Sequence, residues 1–333
     1  MNSRERLFAV LEGGKTDRIP NLNIMMQYAA REIGQPYSVF CRDHKALVRG
    51  NIACAQKYGL DCVTTMSDPM REGADLGMEV FFPEDDVPYS KSFLIQEKAE
   101  LLKLKPLPVL EGGRKYETVA AIELYKKELG DEFPVFGWVE GCFAQAADLR
   151  GVDRFFFDLF DDETFARDLL DFCLEQELIY AKAQIEAGAD LIGLGDAIAS
   201  VAGANLYREL AVEYEIKILK AIREMGAKTK LHICGNTSPF LDAIPAEYCD
   251  IVDVDWMVDL GAAVRAFGGK SCVSGNYDPV AVMLQGTPES IDRAVRECAD
   301  VGGSRYISAA GCEVPKFTPP ENLMQVRKTL AEL

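Results

Sequence analysis

Hydrophobic and polar residues follow two recurring patterns along this chain beyond residue 130. Short, almost wholly apolar runs at residues 133–139 and 190–194 predict buried β-strands. Longer runs at residues 161–186 and 206–225 place apolar residues three and four apart, which predicts amphipathic helices that end at glycines 188 and 226. Short apolar strands that alternate with longer helices are typical of a parallel sheet covered on both sides.

The same alternation extends over most of the chain. Further strands are predicted at residues 228–233, 250–254, 271–274 and 305–308, with helices at 261–267 and 288–301, and the early segments 19–24 and 61–65 fit the same rhythm. Eight strands predict an α/β fold of the (β/α)8 TIM-like barrel type; an open, doubly wound sheet is the alternative. No Gly-x-Gly-x-x-Gly follows the first strand, so the nucleotide-binding form of that alternative lacks support.

The segment 72–115 breaks the rhythm, because it is rich in proline, glycine and charged residues. We predict that it is an excursion over one end of the barrel in the N-terminal part of the chain. No internal repeat or low-complexity linker interrupts the sequence, so we expect residues 1–333 to form one domain.

Composition limits the classes of function and the compartment. The 333 residues are 48% hydrophobic, enough for a large core, and the net charge of −17 argues against nucleic acid and anionic membranes as partners. No apolar run is long enough to span a membrane, and the first residues lack the apolar core of a signal peptide, so we expect a cytoplasmic protein. The ten cysteines include no Cys-x-x-Cys pair, and most, such as Cys54, Cys62, Cys173 and Cys298, lie in apolar surroundings. We expect these to pack as small hydrophobic side chains.

Candidate metal ligands lie at the ends of two predicted strands. His232 and Cys234 are two residues apart at the end of the strand 228–233, where alternate side chains point to the same face. Cys312 follows the last predicted strand in the same sense, and barrel enzymes build their sites at the carboxyl ends of their strands. One imidazole and two thiolates suit Zn²⁺ and leave a fourth position open for chemistry. The alternative is a buried cysteine beside a histidine that caps a strand.

An open position on such a zinc ion can bind a thiol and lower its pKa. Two ligand thiolates neutralise the charge of the ion, so a bound substrate thiolate would keep its nucleophilic character. The ion could also activate water. Hydrolytic deaminases use a similar ligand set, but they carry a Cys-x-x-Cys and a His-x-Glu, which this sequence lacks.

Several short motifs carry a family resemblance over nearly the whole chain. They include Asp17-Arg18-Ile19-Pro20, Gly188-Ala189-Asp190, His232-Ile233-Cys234-Gly235-Asn236, Gly275-Asn276-Tyr277-Asp278-Pro279 and Gly311-Cys312. The chain resembles the uroporphyrinogen decarboxylase superfamily, in its branch of zinc-dependent corrinoid methyltransferases, of which the methylcobamide:coenzyme M methyltransferases are the best known.

This resemblance implies a TIM-like barrel with zinc bound by His232, Cys234 and Cys312. It also implies that an acidic residue after the next strand is an exchangeable zinc ligand, and Asp255 is the best match to that position. The implied reaction moves a methyl group between a corrinoid and a zinc-activated acceptor. No Asp-x-His-x-x-Gly corrinoid motif is present, so we expect the methylcorrinoid to be carried by a separate corrinoid protein, with a small-molecule methyl acceptor as the other substrate.

Uroporphyrinogen decarboxylase activity is the main alternative within the same superfamily. Asp68, in Met66-Ser67-Asp68-Pro69, resembles the aspartate that binds the pyrrole nitrogens in decarboxylases, and with Asp255 it is a candidate catalytic residue. Residues 23–31, however, lack the arginine pair that binds the carboxylates of the porphyrinogen, and decarboxylases have no His-x-Cys motif. A chain of net charge −17 is also a poor host for eight carboxylates. A non-catalytic protein stabilised by zinc is a further alternative.

Three other positions bear on the site. Asp196 and Asn236 are candidates for cofactor binding; Asp196 could instead cap the short turn that begins at residues 197–198. Gly141-Cys142-Phe143-Ala144 replaces the Gly-Pro-Phe-Thr that is usual in the methyltransferase branch, so the acceptor need not be coenzyme M. For Cys142 itself we expect a packing role.

Overall fold

The computed structural model describes all 333 residues. Its strands are β1 Val63–Thr64, β2 Val80–Phe81, β3 Tyr89–Ser90, β4 Val135–Glu140, β5 Leu191–Gly195, β6 Lys228–Ile233, β7 Ile251–Val254, β8 Cys272–Tyr277 and β9 Tyr306–Ala310. Its helices are α1 Ser3–Leu11, α2 Gln27–Glu32, α3 Tyr37–Phe40, α4 His44–Tyr58, α5 Arg71–Asp75, α6 Arg114–Leu129, α7 Cys142–Arg150, α8 Val152–Asp161, α9 Glu163–Glu186, α10 Gly203–Leu206, α11 Val212–Glu224, α12 Leu260–Phe267, α13 Pro288–Gly302 and α14 Pro320–Glu332.

Seven parallel strands form one sheet in the order β1-β4-β5-β6-β7-β8-β9, so each strand pairs with the next one along the chain. The ring closes at Asn21, which forms a parallel bridge with Ser308 of β9 and accepts a hydrogen bond from the N–H of Asp61 just before β1. The predicted barrel is therefore confirmed, and the open sheet is not formed.

The predicted first strand, residues 19–24, is reduced to that single bridge. Pro20 has no N–H to donate to a sheet, and the N–H of Asn23 turns to the side-chain oxygen of Asn21, 3.3 Å away. The segment still occupies the place of the eighth strand. The N–H of Leu22 donates to the carbonyl of Ser308 in β9, and the N–H of Ser308 donates to the carbonyl of Pro20.

Most predicted elements lie where the pattern placed them. Strand β6 has the predicted bounds, and helix α9 begins after Asp162, whose carboxylate accepts from the N–H of Phe165 as an N-cap. The long helix predicted at residues 206–225 is also formed, because α10, a π-helical turn at Tyr207–Ala211 and α11 follow one another without a break in the helical backbone. The excursion contains α5 and the antiparallel pair β2–β3 between β1 and α6, as predicted.

A row of polar side chains crosses the interior of the barrel. The register pairs His232 of β6 with Asp253 of β7, and Asp253 with Ser274 of β8. All three are buried, as is Lys230, which lies two residues before His232 on the same face of β6. This row leads to the carboxyl ends of the strands.

No helix of the structure combines the length and the apolar character needed to cross a membrane.

Candidate metal centre and pocket

His232, Cys234 and Cys312 converge at the carboxyl end of the barrel. Cys234 directly follows β6, Cys312 lies two residues beyond β9, and the ligand atoms of the three residues lie within 4.8 Å of one another. The imidazole Nε2 is 3.0 Å from Sγ of Cys234. Zinc holds tetrahedral nitrogen and sulfur ligands roughly 3.5 Å apart, so this donor set fits the ion with little rearrangement.

Asp253 orients the histidine from the opposite side of its ring. Its Oδ2 lies 3.0 Å from Nδ1 of His232 and 3.1 Å from Nζ of Lys230. Burial alone would raise the pKa of the Asp253 carboxyl, but the opposite charges of Lys230 and His232 lower it well below its usual range. Nδ1 lies beside this carboxylate, so Nε2, on the side of Cys234, is the nitrogen that would bind a metal. Asp253 was not predicted to belong to the site, although it stands between two apolar residues of a predicted strand.

The two cysteines interact with each other as well as with the histidine. Hydrogen bonding to the Cys234 thiol and to His232 lowers the pKa of Cys312 to about 4, whereas the same contact with Cys312 raises that of Cys234. The proximity of the two sulfurs therefore favours the thiolate form of one cysteine, Cys312. A metal ion bound here would displace the remaining thiol proton.

Asp255 lies just after β7 and fixes two loops. Its Oδ2 accepts from the N–H of Gly235, 2.8 Å away, and its Oδ1 accepts from the N–H of Met257, 2.9 Å away. It is not part of the three-residue ligand group. The structure therefore places it next to the loop that carries Cys234, and its role as an exchangeable ligand stays a prediction.

A cavity of about 200 Å³ opens directly beside the three candidate ligands. Its remaining lining consists of Ile24, Met26, Met66, Asp68, Pro69, Trp138, Glu140, Gly195, Ala197 and Glu313. These residues come from the carboxyl ends of several strands and from the loops that follow them. The cavity is thus apolar except for the metal-binding side and three carboxyl groups.

Asp68 reaches this cavity from the loop after β1. Its carboxylate binds Arg114 through two contacts, of 2.7 Å to Nη2 and 3.3 Å to Nη1, and accepts from the hydroxyl of Ser67. Arg114 begins α6, at the end of the excursion, and no sequence pattern pointed to it. The structure places Asp68 at the pocket as predicted, and its catalytic role stays a prediction.

Glu140 and Glu313 are two pocket residues that the sequence analysis did not single out. Glu140 ends β4, and its Oε1 accepts from the indole N–H of Trp138 at 3.2 Å. Glu313 follows Cys312 and accepts from the N–H of Gln27 at 2.8 Å. Burial raises the pKa of Glu140 well above its usual value and that of Glu313 to about 7. Glu140 directly follows the predicted strand at residues 133–139, and Glu313 directly follows the candidate ligand Cys312. These positions could have identified both as pocket residues.

Glycines of β5 make room for the side chain that holds Glu140. A Cβ on Gly195 would lie 2.5 Å from the indole of Trp138, and a Cβ on Gly193 would overlap the same ring. The indole therefore lies flat across β5, which directs its N–H at Glu140. The two glycines therefore determine where Trp138 lies in the pocket lining.

Asp196 is fully buried behind the pocket. Its Oδ1 accepts from the N–H of Ala144 in the first turn of α7, while Oδ2 has no hydrogen-bond partner. Burial raises the pKa of this carboxyl to about 7. The alternative reading as a cap of the turn at residues 197–198 is wrong, because its side chain makes no cap bond there and turns across Gly141 to α7 instead.

Asn236 is exposed in the turn after Cys234. Its side-chain oxygen accepts from the N–H of Ser238 at 3.1 Å, which stabilises the turn. Cofactor binding by Asn236 and Asp196 stays a prediction. Cys142, at the first position of α7, is buried in the main core cluster, in line with the expected packing role.

A second group of metal-type side chains, Asp43, His44 and Glu117, lies on the surface. Glu117 accepts from both the backbone N–H and the ring Nδ1 position of His44, each at 2.8 Å. These bonds account for the group without an ion.

Comparison with known proteins assigns the family. The uroporphyrinogen decarboxylase (URO-D) family pattern matches residues 2–333, so the chain belongs to this family. It is 36% identical over 219 residues to a methylcobamide:CoM methyltransferase of Methanosarcina mazei, covering 65% of this chain and 63% of that protein. It is 34% identical over 235 residues to the enzyme of the same name from Methanosarcina acetivorans, covering 70% and 68%. The matched region thus spans about two thirds of each relative.

The structural comparison agrees on the fold. A solved methyltransferase from Methanosarcina mazei matches with a TM-score of 0.89, covering 100% of this chain and 99% of that chain at 22% identity. The predicted resemblance to the methyltransferase branch and the barrel fold are both confirmed.

Proposed function

We propose that this protein is a zinc-dependent methyltransferase that transfers a methyl group from a methylcorrinoid, carried by a separate protein, to a small thiol. The sulfur lone pair of the deprotonated acceptor forms the new S–CH₃ bond, and the Co–CH₃ bond breaks. Cobalt keeps the electron pair and passes from Co(III) to Co(I), while the thiol proton leaves to solvent. The reverse transfer uses the same groups.

The observation that carries this proposal is the convergence of one imidazole and two thiols beside a cavity. His232, Cys234 and Cys312 would hold zinc, which supplies a site where the acceptor sulfur is a thiolate at neutral pH. Asp253 and Lys230 keep the imidazole in the tautomer that offers Nε2. The protein then contributes orientation and exclusion of water around the acceptor.

The size of the cavity supports a small acceptor as its occupant. Pockets that enclose drug-sized ligands measure about 300–1,000 Å³, whereas this one measures about 200 Å³. It suits a small acceptor, and a corrin macrocycle has to approach from the mouth. A methyl group presented at the mouth would then face the acceptor sulfur inside.

The loops at the carboxyl end of the barrel, where the cavity opens, carry exposed apolar side chains, which we call the apolar rim. Large hydrophobic side chains are exposed in the loops after β5, β7, β8 and β9: Val201, Trp256, Met257, Val280 and Phe317. Exposed apolar groups that come from four separate loops on one face mark an interaction surface. We assign this apolar rim to the corrinoid-bearing partner.

The test is a methyl-transfer assay combined with metal analysis. The purified protein should contain about one zinc ion per chain and methylate thiols with free methylcobalamin. His232→Ala and Cys312→Ser should each lose zinc and activity. Cys298→Ser is the matched control, because Cys298 is half-buried away from the metal centre. Full activity without zinc would refute the mechanism, and zinc loss that only unfolds an inactive protein would favour a structural role.

Decarboxylation of a porphyrinogen is the second candidate, supported by the presence of Asp68 at the pocket. That carboxylate is already bound by Arg114, and two further carboxyl groups line the same cavity. A substrate with eight carboxylates would meet repulsion here. Formation of coproporphyrinogen from uroporphyrinogen, measured in the same preparation, would establish this activity instead.

A further inference from the structure

Apart from the three candidate metal ligands, the ionisable residues that line the cavity are all acidic. Asp68, Glu140 and Glu313 are its only charged or titratable members besides the three candidate ligands, and no lysine or arginine lines it. We call the part of the acceptor opposite its sulfur the tail. A tail that enters the cavity therefore meets carboxyl groups and apolar surface.

The nearest cations are already engaged or lie behind the wall. Arg114 binds Asp68 and donates to the carbonyl of Cys41, and Lys230 lies 3.1 Å from Asp253. Arg71 is buried behind Glu140, with its Nη1 bound to the carbonyl of Thr65. None of these groups offers an anionic tail a partner inside the cavity.

Glu140 is the carboxyl group best placed to bind a tail. Only 8% of it is exposed, its Oε1 accepts from Trp138, and its Oε2 accepts no hydrogen bond from the protein. Arg71 Nη2 is 4.0 Å from Oε1, too far for a hydrogen bond, and both carboxyl oxygens of the neighbouring Glu72 are buried without partners. Acids thus outnumber cations around Glu140, and the unpartnered oxygen belongs to a residue that lines the cavity.

We propose that the methyl acceptor is a small aminothiol, whose ammonium group binds Glu140 while its sulfur occupies the open position of the metal centre. This inference rests on the proposed function and names its substrate class. A buried charge requires a partner of opposite sign. Burial and the neighbouring acid Glu72 raise the pKa of Glu140, and no cation lines the cavity to offset them. A bound ammonium group would supply that cation and favour the ionised carboxylate, whereas a hydroxyl finds only a hydrogen-bonding partner and a sulfonate or carboxylate finds no counter-ion.

Three thiols of equal chain length test which tail group the cavity prefers: cysteamine, 2-mercaptoethanol and 2-mercaptoethanesulfonate. With methylcobalamin as donor, kcat/KM should fall in that order, with cysteamine at least about tenfold above the sulfonate. Binding is measured separately by tryptophan fluorescence in Trp256→Phe, which leaves Trp138 at the pocket as the sole tryptophan. Dissociation constants should follow the same order.

Variants of Glu140 assign the selectivity to one residue. Glu140→Gln keeps the size and removes the charge, so the preference for cysteamine over the sulfonate should drop about tenfold in both assays. Glu140→Asp should retain the preference, and Glu12→Gln, an exposed position, should not change it. Zinc content and the thermal unfolding midpoint show whether each variant is folded.

The outcomes separate this inference from the proposed function. If the sulfonate reacts or binds as well as cysteamine, or if Glu140→Gln leaves the ratio unchanged, the aminothiol proposal is wrong while thiol methylation stands. If no thiol is methylated, the proposed function fails. The fluorescence titration still decides tail selection in that case, because it does not depend on turnover.

Discussion

Asp253 lies beside His232 in the register of β7 and β6, and its Oδ2 is 3.0 Å from the imidazole Nδ1. Lys230, 3.1 Å away on the other side, keeps this carboxylate charged in the barrel interior. Carboxylates in this position fix the ring of a metal-binding histidine and increase its basicity. The parallel register of two strands thus places a carboxylate beside the histidine of the candidate metal centre.

The first prediction concerns this contact. Asp253→Asn should weaken zinc binding by about 10–100-fold, because the amide cannot balance the charge that the imidazole acquires on metal binding. The measurement is a competition titration with a chromophoric chelator. Asp259→Asn, an exposed change at the N-cap of α12, should leave the zinc affinity unchanged. Equal affinity of Asp253→Asn and wild type would show that the carboxylate does not support the metal.

The second prediction concerns the ion pair between Asp68 and Arg114. The Asp68 side chain is fully buried, so Arg114→Gln leaves a carboxylate without its counter-ion and should cost about 3 kcal/mol in the free energy of unfolding. Urea denaturation measures the difference. The exposed pair of Arg208 and Asp242 is the control, and Arg208→Gln should cost less than about 1 kcal/mol. Similar costs for both variants would contradict a structural role for the buried pair.

The third prediction concerns the glycines under Trp138. Gly195→Ala should destabilise the fold by about 1–3 kcal/mol, because its Cβ would lie 2.5 Å from the indole and the ring has to move. The same shift should weaken the Trp138–Glu140 hydrogen bond and change the tryptophan fluorescence. Gly261→Ala, in α12 beside a flexible arginine, should stabilise by up to about 1 kcal/mol. A neutral Gly195→Ala would mean that the ring is free to shift.

The parts that could be predicted from the sequence are those that depend on local pattern. Strand β6 and its candidate ligands His232 and Cys234 follow from two-residue periodicity, and Cys312 follows because parallel strands end on the same side. The π-helical turn at Tyr207–Ala211 and the loss of the strand at residues 19–24 depend on how neighbouring elements pack. The periodicity of a single segment does not predict how that segment packs against its neighbours.

The residues and contacts that were not predicted depend on distant parts of the chain. Arg114 reaches Asp68 across 46 positions, and Asp196 caps α7 across 52 positions. Glu140 is oriented by an indole whose position depends on glycines in the next strand. In each case the partner of a polar group is fixed by the closed barrel, so a motif could point to the residue but not to what it does.

The fourth prediction concerns the apolar rim around the mouth. If Val280 and Phe317 are among the minority of interface residues whose truncation costs more than about 1 kcal/mol, Val280→Ser and Phe317→Ser should each raise the KM for a protein-bound methylcorrinoid by up to about tenfold. Both should leave kcat/KM with free methylcobalamin and the zinc content unchanged, because neither residue lines the cavity. Val301→Ser is a matched control: Val301 is 49% exposed, against 47% for Val280, but lies at the opposite end of the barrel, where α13 leads into β9. If Val301→Ser impairs the protein-bound substrate as much as Val280→Ser, the partner does not dock at the mouth, and the route of the methyl group into the cavity has to be sought elsewhere.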